Sequence, residues 1–212
     1  MRSMEQGNPV VLVDEYGHDL FNTDGRLSTM EKIEAHRRGL LHRAVSVFVF
    51  NDRNELLLQK RAVDKYHSPQ KWTNTCCTHP SPGETPLMTA RRRLREEMGL
   101  VVTLTAVFTF LYQADVGNGL TENEFDHVFI GVSNQNPNPN PAEVSDWNWV
   151  TAEELERELI RNPKEYSPWL RQCFSEVIEY KLQKRGWVAG VSDMVSQFAL
   201  SKTDNRQTCD GC

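Results

Sequence analysis

No stretch of the 212-residue chain is apolar for long enough to span a bilayer. The opening residues, Met1 to Gln6, lack the apolar core of a secretory signal. Cysteine is scarce and unpaired in number: there are five, with Cys76 and Cys77 adjacent. A disulfide framework is therefore not expected, and a reducing cytoplasm is the simpler setting. An excess of positive charge is also missing. The formal net charge is -5, which speaks against a general nucleic-acid or membrane-surface binder. Any phosphate site must be a local cluster of Lys and Arg. There is no internal repeat.

What remains is a soluble, globular composition, 39% hydrophobic and 25% charged, long enough for one domain with appendages. Val10 to Val13 is a short β-branched run, and Leu27 to Arg38 has the charge pattern of a helix. Ala44 to Phe50 and Glu55 to Lys60 read as a hairpin turning at Asn51 to Asn54. Thr85 to Met98 has helical spacing, with Gly99 as its stop. Val101 to Tyr112, Phe125 to Val132 and Asp146 to Val150 are strand candidates, and the alternating Asn and Pro of 134–141 must be loop. Thr151 with Glu154 fits a capping box, and Ser167-Pro168 fits a helix start running towards Leu182. The polar tail beyond Asn205 reads as disordered. The order predicts one α/β domain with an antiparallel or mixed sheet.

Four features could carry chemistry. In an extended segment Cys77 and His79 share a face, with Cys76 and Thr78 on the other. A lone cysteine is ordinarily a small buried hydrophobe, which suits Cys76 and Cys173. Glu122 and Glu124 would lie side by side on a strand, although an isolated Glu-Asn-Glu is more often a solvated turn. Two carboxylates in one buried site need a metal or a shared proton. His36 and His42 are badly spaced for one helix face, and exposed histidines usually explain such a pair. With His79, Glu122 and Glu124, however, they make a mixed imidazole and carboxylate set suited to Mn²⁺, Mg²⁺ or Zn²⁺. The last feature is the helix with Arg91, Arg92, Arg93, Arg95, Glu96 and Glu97. Such a charge run is usually a wet face. Aligned on Gly99, it also resembles the Nudix box, G-x5-E-x7-R-E-U-x-E-E-x-G-U, through Glu84, Arg92, Leu94, Glu96, Glu97, Gly99 and Leu100. Thr78 replaces the opening glycine. Arg93 replaces a glutamate that is a metal ligand in the diphosphate-cleaving members.

From about Val10 to about Leu182 the chain resembles type I isopentenyl-diphosphate isomerase, a branch of the Nudix superfamily. The carriers are Glu31-Lys32-x-x-Ala35-His36, Trp72 to Pro80, Glu122-Asn123-Glu124 and Tyr166-Ser167-Pro168-Trp169. The resemblance implies a Nudix-like α/β/α sandwich with a mixed or antiparallel sheet. Residues 1–43 would contribute to the active site, 44–184 would form the catalytic domain, and 185–212 would be a partly disordered tail. Isopentenyl and dimethylallyl diphosphate would be interconverted through a carbocation, in isoprenoid biosynthesis. Cys77 and Glu124 would transfer the protons, Tyr112 would hydrogen-bond Glu124, and Trp169 would line the hydrocarbon pocket. His36, His42, His79, Glu122 and Glu124 would bind one metal, and Glu97 a Mg²⁺ bridging to the diphosphate. Lys32, Arg61, Lys65 and Arg93 would grip that diphosphate, helped by the backbone at Cys77–Thr78, read as opening a helix. The alternative is a Nudix hydrolase of a nucleoside diphosphate derivative, against which Arg93 argues. Cys209 and Cys212 form one C-x-x-C, which is half a zinc site.

Overall fold

The structure is a computed structural model and describes residues 9–184. In chain order the elements are β1 (Pro9–Val11), β2 (Thr29–Glu31), α1 (Lys32–Arg38), β3 (His42–Phe50), β4 (Leu56–Arg61), β5 (Trp72–Thr73), β6 (Cys76–Thr78) and α2 (Pro86–Met98). Then follow β7 (Leu104–Gly117), β8 (Leu120–Val132), β9 (Val144–Val150), α3 (Ala152–Arg161) and α4 (Pro168–Lys184). Contacts divide the chain into Met1–Ser175 and Glu176–Cys212. The first unit holds the sheets and α1 to α3. Of the second, only the closing turns of α4 are described, and the tail with Cys209 and Cys212 lies outside the described residues.

The main sheet has seven strands. Its path is β5-β4-β3-β8-β7, with β6 against β3 and β9 against β4. β3 and β8 run parallel and the other pairs antiparallel, so the sheet is mixed. Val45, Val47 and Val49 of β3 pack with Ala90, Leu94 and Met98 of α2. The alternate residues Ala44, Ser46, Phe48 and Phe50 are also buried. A strand buried on both faces needs cover on both sides, as in an α/β/α sandwich.

The helix signals match the structure. Thr85 caps α2 with Pro86 at its first turn. Gly99 ends it with φ +68°, where a Cβ would meet the Asn138 carbonyl at 2.6 Å. Thr151 and Glu154 form the full capping box on α3, and the Ser167 hydroxyl accepts from the Leu170 N–H at the start of α4. Other boundaries differ. The helix expected from Leu27 begins at Lys32, because Thr29–Glu31 pairs with Pro9–Val11. β7 and β8 run through the polar stretches 113–117 and 120–124, since cross-strand pairing outweighs local polarity there. Cys77–Thr78 opens no helix: it lies in β6, and α2 starts only at Pro86.

The hairpin of β3 and β4 opens after a single pair, Phe50 with Leu56. β6 enters the fork and pairs with Val45 to Val47. Side chains replace the missing ladder bonds. Thr75 Oγ1 donates to the Leu57 carbonyl at 2.6 Å and accepts from the Val49 N–H at 2.9 Å. Asn74 Nδ2 donates to the Val47 and Cys76 carbonyls at 3.2 and 2.8 Å. Thr75→Val keeps the shape but strands two buried backbone groups, so it should cost roughly 2–4 kcal/mol. Thr75→Ser should cost less. Urea unfolding midpoints of the two variants test this, and equal midpoints would remove the stitching role of the hydroxyl.

Candidate active site

Strand register assembles the site. His42 of β3 lies opposite Glu124 of β8, which in turn lies opposite Tyr112 of β7. Ser46, on the same face of β3 as His42, lies opposite Cys77 of β6. Thiol and carboxyl therefore come from strands on the two sides of β3. Cys76 faces the other way, into the α2 core, as expected of a small hydrophobe. Cys173 is fully buried as well. α1 ends at Gly39, whose φ of +59° turns the chain back into β3. That turn brings the His36 and His42 rings to 4.9 Å, although no helix face could do so. Glu122-Asn123-Glu124 is strand rather than solvated turn, and both glutamates are buried.

His36, His42, His79, Glu122 and Glu124 place one ligand atom each within 4.8 Å of one another. Ligands on opposite sides of one cation at about 2.0–2.3 Å would be about 4–4.6 Å apart. The hydrogen-bond pattern fits a cation too. His36 Nδ1 donates to the Lys32 carbonyl, and His42 Nδ1 donates to the Leu40 carbonyl at 2.7 Å. With Nδ1 so engaged, both Nε2 atoms turn towards the carboxylates. His36 Nε2 faces Glu122 Oε2 at 2.7 Å, and His42 Nε2 lies 3.7 Å from Glu122 Oε2 and from Glu124 Oε1. His42 Nε2 and Glu122 Oε2 are buried without any hydrogen-bond partner. Unpartnered buried atoms of this kind beside converging carboxylates suit a cation, and ring nitrogens tied to backbone carbonyls through Nδ1 are the usual outer support of metal-binding histidines.

The proton equilibria separate the two carboxyls. Burial raises Glu124 well above the usual range, and the charges of Glu122 and Asp126 add to it. Burial opposes the charge on Glu122 too, but His67, His36 and His42 outweigh it and hold Glu122 well below. The proton affinities of the two carboxyls are thus pushed apart, Glu124 upward and Glu122 downward. Tyr112 Oη donates to Glu124 Oε2, and His79 Nε2 lies 2.7 Å from Glu124 Oε1. Burial pushes the Cys77 thiol up to about 12, although Arg61 Nη1 lies 3.9 Å from its sulfur and pulls the other way. The thiol is therefore an acid at neutral pH.

Lys32, Arg61, Cys77, His79, Tyr112, Glu122, Glu124 and Trp169 all line one cleft. The Trp169 indole donates to Asn74 Oδ1 at 3.1 Å, and the Arg61 guanidinium lies over its ring at 5.4 Å. Lys65, Arg93 and Glu97 are not among the lining residues and form a second charged cluster. Glu97, nearly fully buried, takes Arg93 on Oε1 at 2.9 Å and Gln59 on Oε2 at 3.0 Å. Glu143 bridges Arg93, at 3.1 Å, to Lys65. Burial disfavours the charge on Arg93, yet Glu97 and Glu143 raise its pKa further. Elsewhere on the helix, Arg92 clamps Glu84 through two 2.7 Å bonds, holding that carboxyl down to about 2.

Sequence reasoning missed Glu143, Gln59 and His67. Each is a single residue outside any motif, brought in by β9, β4 and the β4–β5 connection. His67 Nε2 lies 2.8 Å from Glu122 Oε1. The only local hint was its position six residues after Arg61, in a segment rich in charge and polarity. At about pH 8, Cys77 should react with iodoacetamide at least ~10-fold more slowly than glutathione, because a free thiol titrates near 8.5. Mass mapping of the alkylated peptide measures it, and rapid labelling would reveal a thiolate.

A NUDIX domain model matches residues 40–173. Among curated proteins, the chain is 47% identical to isopentenyl-diphosphate Delta-isomerase 2 of Aromatoleum aromaticum, over 80% of this chain and 86% of that one. It is 45% identical to isopentenyl-diphosphate Delta-isomerase of Pectobacterium atrosepticum, over 81% of this chain and 92% of that one. Among solved structures it resembles DR0079 from Deinococcus radiodurans with a TM-score of 0.60 at 20% identity, covering 74% of this chain and 96% of that one. That likeness carries the fold alone. The domain match and the extent of the relatives together place this chain in the isopentenyl-diphosphate Delta-isomerase family, within the NUDIX superfamily.

Proposed function

We propose that the chain interconverts isopentenyl diphosphate and dimethylallyl diphosphate, a step in isoprenoid biosynthesis. One observation carries the proposal: the Cys77 thiol and the Glu124 carboxyl come from the strands on either side of β3 into one cleft, which Trp169 also lines. Protonating an unactivated alkene creates a tertiary cation that water would capture, so the acid must work in a dry pocket. Cys77 and Glu124 then divide the work from opposite sides, one giving a proton and the other removing one. Because the reaction is reversible, each serves in both roles. Tyr112 holds Glu124 in place, and Trp169, fixed by Asn74, offers its face to the developing cation.

His36, His42, His79, Glu122 and Glu124 would hold a divalent ion, Mn²⁺, Zn²⁺ or Mg²⁺, which when bound strengthens Glu124 as an acid. Glu97 would hold a Mg²⁺ that offsets the charge of the substrate diphosphate. Lys32 and Arg61 in the cleft, with Lys65 and Arg93 beside it, supply the cations for that diphosphate. On this reading residues 1–43 complete the site, 44–184 form the catalytic domain, and the protein works in the cytoplasm. Among the described residues no helix is long and apolar enough to cross a membrane. The hydrolase alternative is disfavoured because Arg93 stands where the hydrolytic pattern has glutamate.

Incubation with Mg²⁺ and isopentenyl diphosphate should exchange methylene for methyl signals by NMR. Absence of dimethylallyl diphosphate with metal supplied, or release of phosphate instead, would sink the proposal. Cys77→Ala and Glu124→Gln should each lower turnover about 10²–10⁴-fold. Near-normal turnover in either would remove that residue from the proton transfers. Excess chelator should abolish activity and added Mg²⁺ or Mn²⁺ should restore it, whereas full activity in chelator would contradict the metal assignment.

A further inference from the structure

His67 belongs to no motif, yet its ring is buried against the site. It meets Tyr66 edge-on at 4.4 Å and Trp169 edge-on at 6.0 Å, and its side chain is 4% exposed. Its Nε2 lies 2.8 Å from Glu122 Oε1. A carboxylate oxygen can only accept, so the ring proton sits on Nε2 and points at Glu122. The other oxygen, Oε2, is the one that faces His36 and His42.

Glu124 repeats the arrangement. Tyr112 takes its Oε2, and Oε1 is left facing His79 and His42. His36 and His42 are fixed in turn by the Lys32 and Leu40 carbonyls. Four of the five cluster side chains thus have an outer partner on one polar atom and turn the other inward. His67 fills that place for Glu122. It is not among the five residues whose ligand atoms converge, so it can act on a bound ion only through Glu122. The backbone around it is held as firmly. The His67 and Ser68 carbonyls accept from Arg61 Nη2 and Nε, each at 3.1 Å, and Ser68 adopts φ +45°.

We propose that His67 is a positioning residue, which orients Glu122 by donating to Oε1 and so raises the metal affinity of the His36, His42, His79, Glu122 and Glu124 cluster. The inference rests on reading that cluster as a metal site. Removing an outer hydrogen bond of this kind typically weakens metal binding 10–100-fold.

The test titrates metal-stripped full-length protein with Mn²⁺ and, separately, Zn²⁺, following free ion by electron paramagnetic resonance and by a chromogenic chelator. His42→Ala marks the cluster as the site. If wild type binds neither ion in a way that His42→Ala abolishes, the metal reading itself fails. If wild type binds, His67→Leu should bind about 10–100-fold more weakly. His67→Gln, whose amide can still donate to Oε1, should recover most of the loss. Unchanged affinity in His67→Leu overturns the positioning role. Equal weakening in Leu and Gln variants overturns it too, because ring packing and not the hydrogen bond would then matter. Urea unfolding of the metal-free variants shows whether each is folded during the titration. If His67→Leu does not fold, His67→Gln decides: near wild-type affinity supports the hydrogen bond, and affinity about 10-fold or more weaker refutes it.

Discussion

The site depends on a fork. β3 and β4 must part after Phe50 and Leu56 so that β6 can lie against β3. Parting two strands leaves backbone donors and acceptors buried without ladder partners, a cost of 1–3 kcal/mol for each group left unmet. Thr75 and Asn74 meet it with four side-chain bonds to the backbone of the flanking strands and of β6. Gln59 adds a fifth, from Nε2 to the Thr75 carbonyl, while the same amide group holds Glu97. A segment of polar residues is therefore buried at the centre of the sheet because each has backbone to satisfy. Once β6 is seated, register fixes the chemistry: Cys77 falls on the face of β3 that carries His42 and, across it, Glu124.

Charge is organised around the same fork in two separate clusters. On β8, Glu122, Glu124 and Asp126 occupy successive positions of one buried face. Glu122 and Asp126 raise the proton affinity of Glu124, and Asp126 is pushed up to about 7, mainly by burial, although the Ser46 hydroxyl donates to it at 2.6 Å. Such a row is tolerable only with protons, imidazoles or a cation to divide the charge. The second cluster alternates signs, Lys65, Glu143, Arg93 and Glu97, and sums to neutrality. Arg61 lies near the thiol and over the indole, within the first cleft.

Much of this was legible in the sequence, for reasons that differ by element. Helix ends carry local chemistry, so Gly99, Thr151 with Glu154, and Ser167 were readable as caps. The two-residue period of a strand was enough to pair Cys77 with His79 and Glu122 with Glu124. It could not give register, because register is a contact between distant segments. For that reason β7 and β8 looked shorter than they are, and Thr29–Glu31 looked helical. His67 and Glu143 stayed hidden on the same ground. A single residue whose partner lies 55 or 78 positions away leaves no periodic trace.

The Nudix helix shows how one fold can change its chemistry with little change in shape. Glu84 and Arg92 still brace the helix and its preceding loop through a two-pronged ion pair, and Gly99 still ends it in the left-handed region. Arg93 reverses the charge at one position. Its guanidinium now bonds Glu96, Glu97 and Glu143, converting an acidic face into an ion-pair network. An arginine there cannot help to hold a metal, but it can face phosphate oxygens with fixed geometry. One acidic position is lost on the helix, while a histidine and carboxylate cluster stands elsewhere, at the ends of β3 and β8 and reached by the turn after α1. On the proposed function, the same sandwich would bind a diphosphate without cleaving it, with the reacting carbons near Cys77 and Glu124.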